Sequence, residues 1–214
     1  MNDGRQRIPE DSESRLERAL RDGAPLMAAG PPQIADAAVS AGLLDVAYAT
    51  LDSPVGTLML ACTKAGLACV AYLDPERGAE DVLARLAARL SPRILRAPRL
   101  LDEPRRELDE YFAGRRRSFD LPLDLGGLTP FTCRVLRAAA AIPYGEVATY
   151  AEVARVAGSP RGARAAGNAL GSNPVPIVVP CHRVLHADGG LGGYTGGTSR
   201  KRALLAIEQG GTPG

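Results

Sequence analysis

The chain is poor in the residues that build metal sites and membrane spans. Its 214 residues include only two histidines and four cysteines. The cysteines, Cys62, Cys69, Cys133 and Cys181, form no CxxC pair. A structural zinc site wants four closely spaced thiolate or imidazole ligands, and this sequence does not supply them. No apolar run approaches the roughly 18–20 residues that a membrane-spanning helix needs. The opening stretch, MNDGRQRIPEDSESRLERAL, lacks the apolar centre of a signal peptide. These absences point to a soluble protein of the reducing cytoplasm. There, an even number of cysteines does not imply disulfides.

What is present fits an ordinary globular protein. Apolar residues make up 45% and charged residues 23%, enough to bury a sizeable core. The length suits one large domain or two small ones. The net charge of +2 conceals a split. Residues 1–128 carry 17 Lys and Arg against 20 Asp and Glu, and residues 129–214 carry 9 against 4. Either the second half meets a polyanion, or the surface charge simply varies along the chain.

Residues 1–44 read as an extension of unknown role, with a short helix in SESRLERALRDG and a second in IADAAVSAG ended by Gly42. From residue 45, short runs rich in Val, Leu, Thr and Tyr are separated by SPVG and TKAG, which predicts antiparallel strands with tight turns. Cys62 and Cys69 fall inside these runs and read as small core hydrophobes. GAEDVLARLAARL places Val82, Leu83, Leu86 and Leu90 at helical spacing. DEPRRELDEYFAGRR predicts a helix with Pro104 in its first turn and Gly114 past its end. GRRRSFDLPLDL then reads as an extended segment.

Beyond Thr129 the pattern becomes mostly helical. TPFTCRVLRAAAAIP predicts one helix, ended by Pro143. Two shorter helices, near 149–157 and 161–170, flank AGSP in a helix-turn-helix pattern. The second contains GARAAGNA, in which every residue except Arg164 and Asn168 is glycine or alanine. Each helical glycine costs about 1 kcal/mol relative to alanine, so something must compensate. A helix almost without side chains can approach another surface closely. That surface is either a packed neighbouring helix or the minor groove of DNA, which is about 6 Å wide. In the groove, Arg164 would project into the duplex and fill the space left by an extruded base.

The stretch NPVPIVVPCHRV holds three prolines, Pro174, Pro176 and Pro180, ahead of Cys181, His182 and Arg183. The prolines remove backbone freedom and deliver Cys181 to one position. A buried structural cysteine would not need this, whereas a nucleophile would. A free thiol has a pKa of about 8.5, so an adjacent imidazole must take its proton, directly or through a water. If the segment is extended, Cys181 and His182 point to opposite sides and a bridging water suits them. Glu208, in SRKRALLAIEQ, is the acidic candidate to orient His182, with Asp188 the other choice. On this chemistry alone, an acyl-transfer hydrolase fits as well as any other activity.

At these residues the sequence closely resembles the O6-alkylguanine-DNA alkyltransferases, also called methylated-DNA–protein-cysteine methyltransferases. PCHRV and its lead-in NPVPIVVP match that family's active-site motif. The likeness continues through FTCRVLRAAAAIPYGEVATYAEVA, RAAGNALGSN, GGYTGG and KRALLAIE. It is strong over residues 129–209 and weaker over 46–125. The resemblance implies a mixed α/β (α+β) fold. A small ribonuclease-H-like sheet-and-helix domain (45–125) would precede a mostly helical, winged-helix-like DNA-binding domain (129–209).

It also implies irreversible transfer of an alkyl group from O6 of guanine, or O4 of thymine, to the protein's own cysteine. The transfer would occur once per molecule, on duplex DNA, by a monomer, with no cofactor and no metal. Carried onto this chain, Cys181 accepts the alkyl group, His182 acts as base through a water, and Glu208 holds His182. Asn173 fixes the active-site backbone, and Tyr150 donates a proton toward guanine N3. Arg164 is the finger that replaces the flipped nucleotide. Thr149, Ala163, Ala165 and Gly167 are the neighbouring DNA-binding positions. Tyr194, Thr195, Leu170 and Val184 form the substrate pocket, with the backbone of Val184 and Cys181 receiving the guanine amine.

The chain departs from the family pattern in three ways. It lacks the ligands for an N-terminal zinc, it lacks a four-cysteine regulatory domain, and residues 1–44 match nothing. A non-catalytic lesion-binding protein and a cysteine hydrolase remain as alternatives. The first would tolerate loss of Cys181, and the second would turn over repeatedly.

Overall fold

The computed structural model describes residue 38, residues 41–74 and residues 78–211. The helix expected in SESRLERALRDG lies outside the described residues, as does nearly all of IADAAVSAG.

The first half folds around four strands: β1 (Val46–Leu51), β2 (Leu58–Thr63), β3 (Gly66–Tyr72) and β4 (Ile94–Arg96). Their order in the sheet is β3-β2-β1-β4. The pairs β1–β2 and β2–β3 are antiparallel, as the turn signals predict, and β4 joins β1 in parallel. Alternate side chains of a strand face opposite ways, and here both faces are covered. Val46, Tyr48, Met59 and Ala61 pack with Val82 and Leu86 of helix α1 (Ala79–Arg89). Ala47, Ala49, Leu58 and Leu60 face a larger core shared with the second half of the chain. This explains why the strands read as apolar runs without polar alternation. Cys62 and Cys69 are half-buried against the larger and the smaller core respectively.

β3 would be an open edge, but the extended segment after residue 118 covers its start. Leu67 N–H donates to Pro122 O at 2.8 Å and Asp124 N–H donates to Leu67 O at 2.9 Å. The approach is so close that a Cβ on Gly66 would lie 2.2 Å from Pro122 O, at a φ of 133°. Only glycine fits there. Helix α2 (Asp102–Phe112) carries Pro104 in its first turn, and Gly114 follows with φ 70°.

The second half is mostly helical. Helix α3 (Pro130–Ala140) opens on Thr129, whose hydroxyl accepts from Thr132 N–H. Helix α4 (Tyr150–Val156) opens on a reciprocal capping box between Thr149 and Glu152. Helix α5 (Ala163–Gly171) follows, and helix α6 (Thr198–Glu208) closes the described chain. Two short strands, β5 (Ala148–Thr149) and β6 (Val184–Leu185), pair in parallel and tie the start of α4 to the segment that follows Cys181. Among the described residues, no helix is long and apolar enough to cross a membrane.

The small-residue helix starts later than its sequence suggests. Gly162 is its N-cap and lies outside the helix proper, so its helix-interior cost does not apply. One face of the helix packs against the protein and the other is open. Ala166, Ala169 and Leu170 are buried, while Arg164, Ala165 and Asn168 are exposed.

Candidate active site

The proline-rich lead-in forms a tight turn. Asn173 Oδ1 accepts from Val175 N–H at 3.1 Å, and Val179 N–H donates to Val175 O at 2.9 Å. Ile177, at the apex, is held at φ 75° with its side chain fully buried. A β-branched residue in that region is strained, and burial of the side chain offsets the cost. Such a turn presents the following residue in one orientation.

That residue is Cys181. Cys181–Arg183 form a single 3-10 turn, which corrects the expectation of an extended segment. Three residues per turn still send consecutive side chains different ways. Cys181 Sγ receives a hydrogen bond from Asn173 Nδ2 at 3.2 Å, and the same amide donates to Val179 O at 2.9 Å. His182 points inward and is fully buried. Its Nε2 lies 2.8 Å from Glu208 Oε1. Glu208 is therefore the acid beside the imidazole, and Asp188 instead accepts from Gly190 N–H in a surface turn. Among the described residues, His182 Nδ1 is buried without a hydrogen-bond partner.

Glu208 serves several elements at once. Arg183 Nε reaches its Oε2 at 2.9 Å and Arg183 Nη2 its Oε1 at 2.9 Å. Tyr111 of α2 donates its hydroxyl to Oε1 at 2.7 Å, and Gly145 N–H donates to Oε2 at 3.1 Å. Burial alone would raise the Glu208 pKa, but the bonds from His182, Arg183 and Tyr111 outweigh it and hold the carboxyl at about 2. Burial pushes the His182 pKa below its ordinary value, against the pull of Glu208. The pair is therefore an ionised carboxylate and a neutral imidazole able to accept a proton. Burial pushes the Cys181 thiol up, opposed by the Asn173 hydrogen bond and the nearby Lys201 charge. At rest it is a thiol, and it needs a base.

A cavity of about 710 Å³ opens over Cys181. Its walls bring together Tyr150, Leu170, Tyr194 and Thr195 with Ala163, Arg164, Gly167 and Asn168 of α5. Tyr150 lies close behind the helix, since a Cβ on Gly167 would sit 3.6 Å from its ring. Burial raises the Tyr150 pKa, which keeps its proton in place.

Two expected residues have partners of their own within the protein. Val184 does not line the cavity. It is fully buried, and its carbonyl accepts from Lys201 Nζ at 2.6 Å. Thr149 spends its hydroxyl on the helix cap. Ala165 is exposed on α5 but is not among the cavity walls.

Several contributors escape a reading by motif. Lys201 is fully buried and donates to the carbonyls of Val184 and Leu191, fastening both ends of the loop between them. His186 lines the cavity with its ring centroid 5.1 Å from that of Tyr150. Tyr111 and Tyr72 reach the site from the N-terminal half.

Fold and site together define a two-domain protein with a cysteine on a cavity wall, a buried His–Glu pair behind it and a small-residue helix at the cavity mouth. The family description "6-O-methylguanine DNA methyltransferase, DNA binding domain" matches residues 130–210. The companion "ribonuclease-like domain" matches residues 46–125. A methylated-DNA–protein-cysteine methyltransferase of Mycolicibacterium paratuberculosis is 42% identical over 176 residues, covering 78% of this chain and 95% of the relative. The constitutive enzyme of Bacillus subtilis is 37% identical, covering 76% and 94%. Among solved structures, Mycobacterium tuberculosis OGT in complex with DNA matches at 41% identity with a TM-score of 0.65, covering 78% of this chain and 95% of that one. The chain belongs to the methylated-DNA–protein-cysteine methyltransferase family.

Proposed function

We propose that the protein repairs duplex DNA by moving an alkyl group from O6 of guanine, or O4 of thymine, onto Cys181, once per molecule. The observation that carries this reading is a thiol on the cavity wall with a neutral, buried imidazole and an ionised carboxylate behind it.

In the reaction, His182 Nδ1 takes the Cys181 proton through a bridging water. The Sγ–alkyl bond forms as the alkyl–O6 bond breaks, and the electron pair leaves on the guanine. Tyr150 delivers its proton to guanine N3, so the base departs neutral, and the phenolate left behind takes a proton back from solvent. Positioning supplies much of the rate in such a displacement, and Asn173 holds the sulfur. His182 ends with the extra proton, stabilised by Glu208.

The substrate base has to leave the stack to reach a thiol at the foot of a cavity. Exposed Arg164 and the small exposed residues of α5 suit close approach to the minor groove, with Arg164 taking the vacated space. Affinity would come chiefly from phosphates and would fall with salt.

The test is a short duplex carrying one O6-methylguanine. Intact mass should rise by a single methyl, stoichiometric with protein, and peptide mapping should place it on Cys181. Cys181→Ala should bind the duplex and gain nothing. Binding without any adduct on the wild-type protein would leave a lesion-binding protein instead.

A further inference from the structure

One wall of the cavity is built from a segment with little stiffness of its own. Residues 192–197 read GGYTGG, four glycines around Tyr194 and Thr195. Gly192 and Gly197 sit at φ 65° and 85°. Glycine-rich backbone loses the most freedom on ordering, so an outside contact must hold Tyr194.

That contact comes from the N-terminal half. Tyr72, the last residue of β3, places its hydroxyl 2.8 Å from the Tyr194 hydroxyl, with the rings edge to face at 6.1 Å. Burial raises the pKa of both phenols, so the pair stays neutral and one hydroxyl donates to the other. The loop backbone rests on the Tyr72 ring, since a Cβ on Gly196 would lie 2.5 Å from it. The guanidinium of Arg200 lies over the same ring, 4.6 Å from its centroid. Arg200 is itself pinned by the Asp74 carboxylate, by Val55 O at 2.8 Å and by Gly196 O at 3.2 Å. On its other side, Tyr194 lines the cavity with Cys181 and stands edge-on to His182 at 6.4 Å.

We propose that Tyr72 is a positioning residue for alkyl transfer, fixing Tyr194 through the hydroxyl pair and so setting the size of alkyl group the pocket favours. The proposal rests on the transfer reaction described above. A tethered Tyr194 gives a tight wall, which a methyl group needs to stay in line with the sulfur. Without the tether, the wall yields and a small substituent loses its alignment. A bulkier substituent fills the added space and loses less.

The test compares transfer from duplexes bearing O6-methylguanine or O6-benzylguanine, in wild-type protein and in Tyr72→Phe. The methyl rate should fall about 10-fold, as a modest loss of alignment produces, and the benzyl-to-methyl ratio should rise. Binding of undamaged duplex should not change. Tyr194→Phe should reproduce the shift, and the double variant should be no worse than either single one, because both remove one contact. The rate ratio does not depend on the folded fraction, so it separates positioning from stability. If wild-type protein transfers methyl but Tyr72→Phe keeps the wild-type ratio, or if the two substitutions add, the positioning role is wrong. If wild-type protein transfers nothing, the reaction itself is wrong.

Discussion

Asn173 Nδ2 lies 3.2 Å from Cys181 Sγ and 2.9 Å from Val179 O, so one amide joins the cysteine sulfur to the turn that precedes it. Its Oδ1 closes the same turn at Val175 N–H. Asn173→Ala would orphan the buried Val175 N–H, while Val179 O keeps its bond from Cys181 N–H. That orphan costs about 1–3 kcal/mol, so a clear fall in melting temperature is expected. The transfer rate should fall by about 10-fold, the equivalent of one 1.4 kcal/mol contact. Unfolding curves and single-turnover kinetics on the same variant check both.

Acid should weaken the fold in two stages. His182 has a folded pKa below its ordinary 6.5. The unfolded chain therefore takes up that proton first, and stability declines as pH drops below 6.5. Glu208 is held at about 2 against an ordinary 4.5. Its contribution is complete above 4.5 and is lost between 4.5 and 2, on the order of 3 kcal/mol. Denaturant melts from pH 7 to pH 3 should show the decline. In Glu208→Gln the second stage should vanish. That variant should also be less stable at pH 7 by about 3–5 kcal/mol, because Arg183 is left buried without its counter-charge.

Arg164 is exposed, and no fold contact of its side chain depends on it in the described site. Arg164→Ala should change stability by less than about 0.5 kcal/mol. Transfer from duplex should slow by about 10- to 100-fold, because a few kcal/mol of unstacking are no longer compensated. Reaction with the free base O6-benzylguanine should be unaffected. Equal slowing on both substrates would remove the finger role.

Two glycines should respond oppositely to alanine. At Gly167 an added Cβ meets the Tyr150 ring at 3.6 Å, an ordinary contact, inside helix α5. Gly167→Ala should stabilise the protein by up to about 1 kcal/mol. At Gly196 the added Cβ would lie 2.5 Å from the Tyr72 ring. Gly196→Ala should destabilise by about 1–3 kcal/mol, the usual range for overpacking. Thermal melts of the two variants decide the sign.

Strands β1 to β3, the helices and the Cys181–His182 pair were legible because their signals are local or carried by contiguous motifs, whereas β4 to β6 were not read and Glu208 shared its place with Asp188. Turn chemistry marked β1 to β3, spacing marked α1, and PCHRV marked the cysteine. The 3-10 turn at Cys181 was not legible, since it depends on Asn173 and a strained Ile177 closing the lead-in. Tyr111 and Tyr72 were not legible either. Their partners lie 97 and 122 residues away, and neither has a distinctive neighbour in sequence. The Lys201 bond to Val184 O was not legible, because a motif fixes order along the chain and not which carbonyl a buried lysine will claim.

Glu208 is made after the residues it serves. Cys181, His182, Arg183 and Tyr111 all precede it, and helix α6 must be synthesised and docked before the carboxylate arrives. A growing chain therefore carries Cys181 and His182 for a time without the carboxylate that holds the imidazole. The Cys181–His182 pair gains its full set of contacts only when helix α6 is in place.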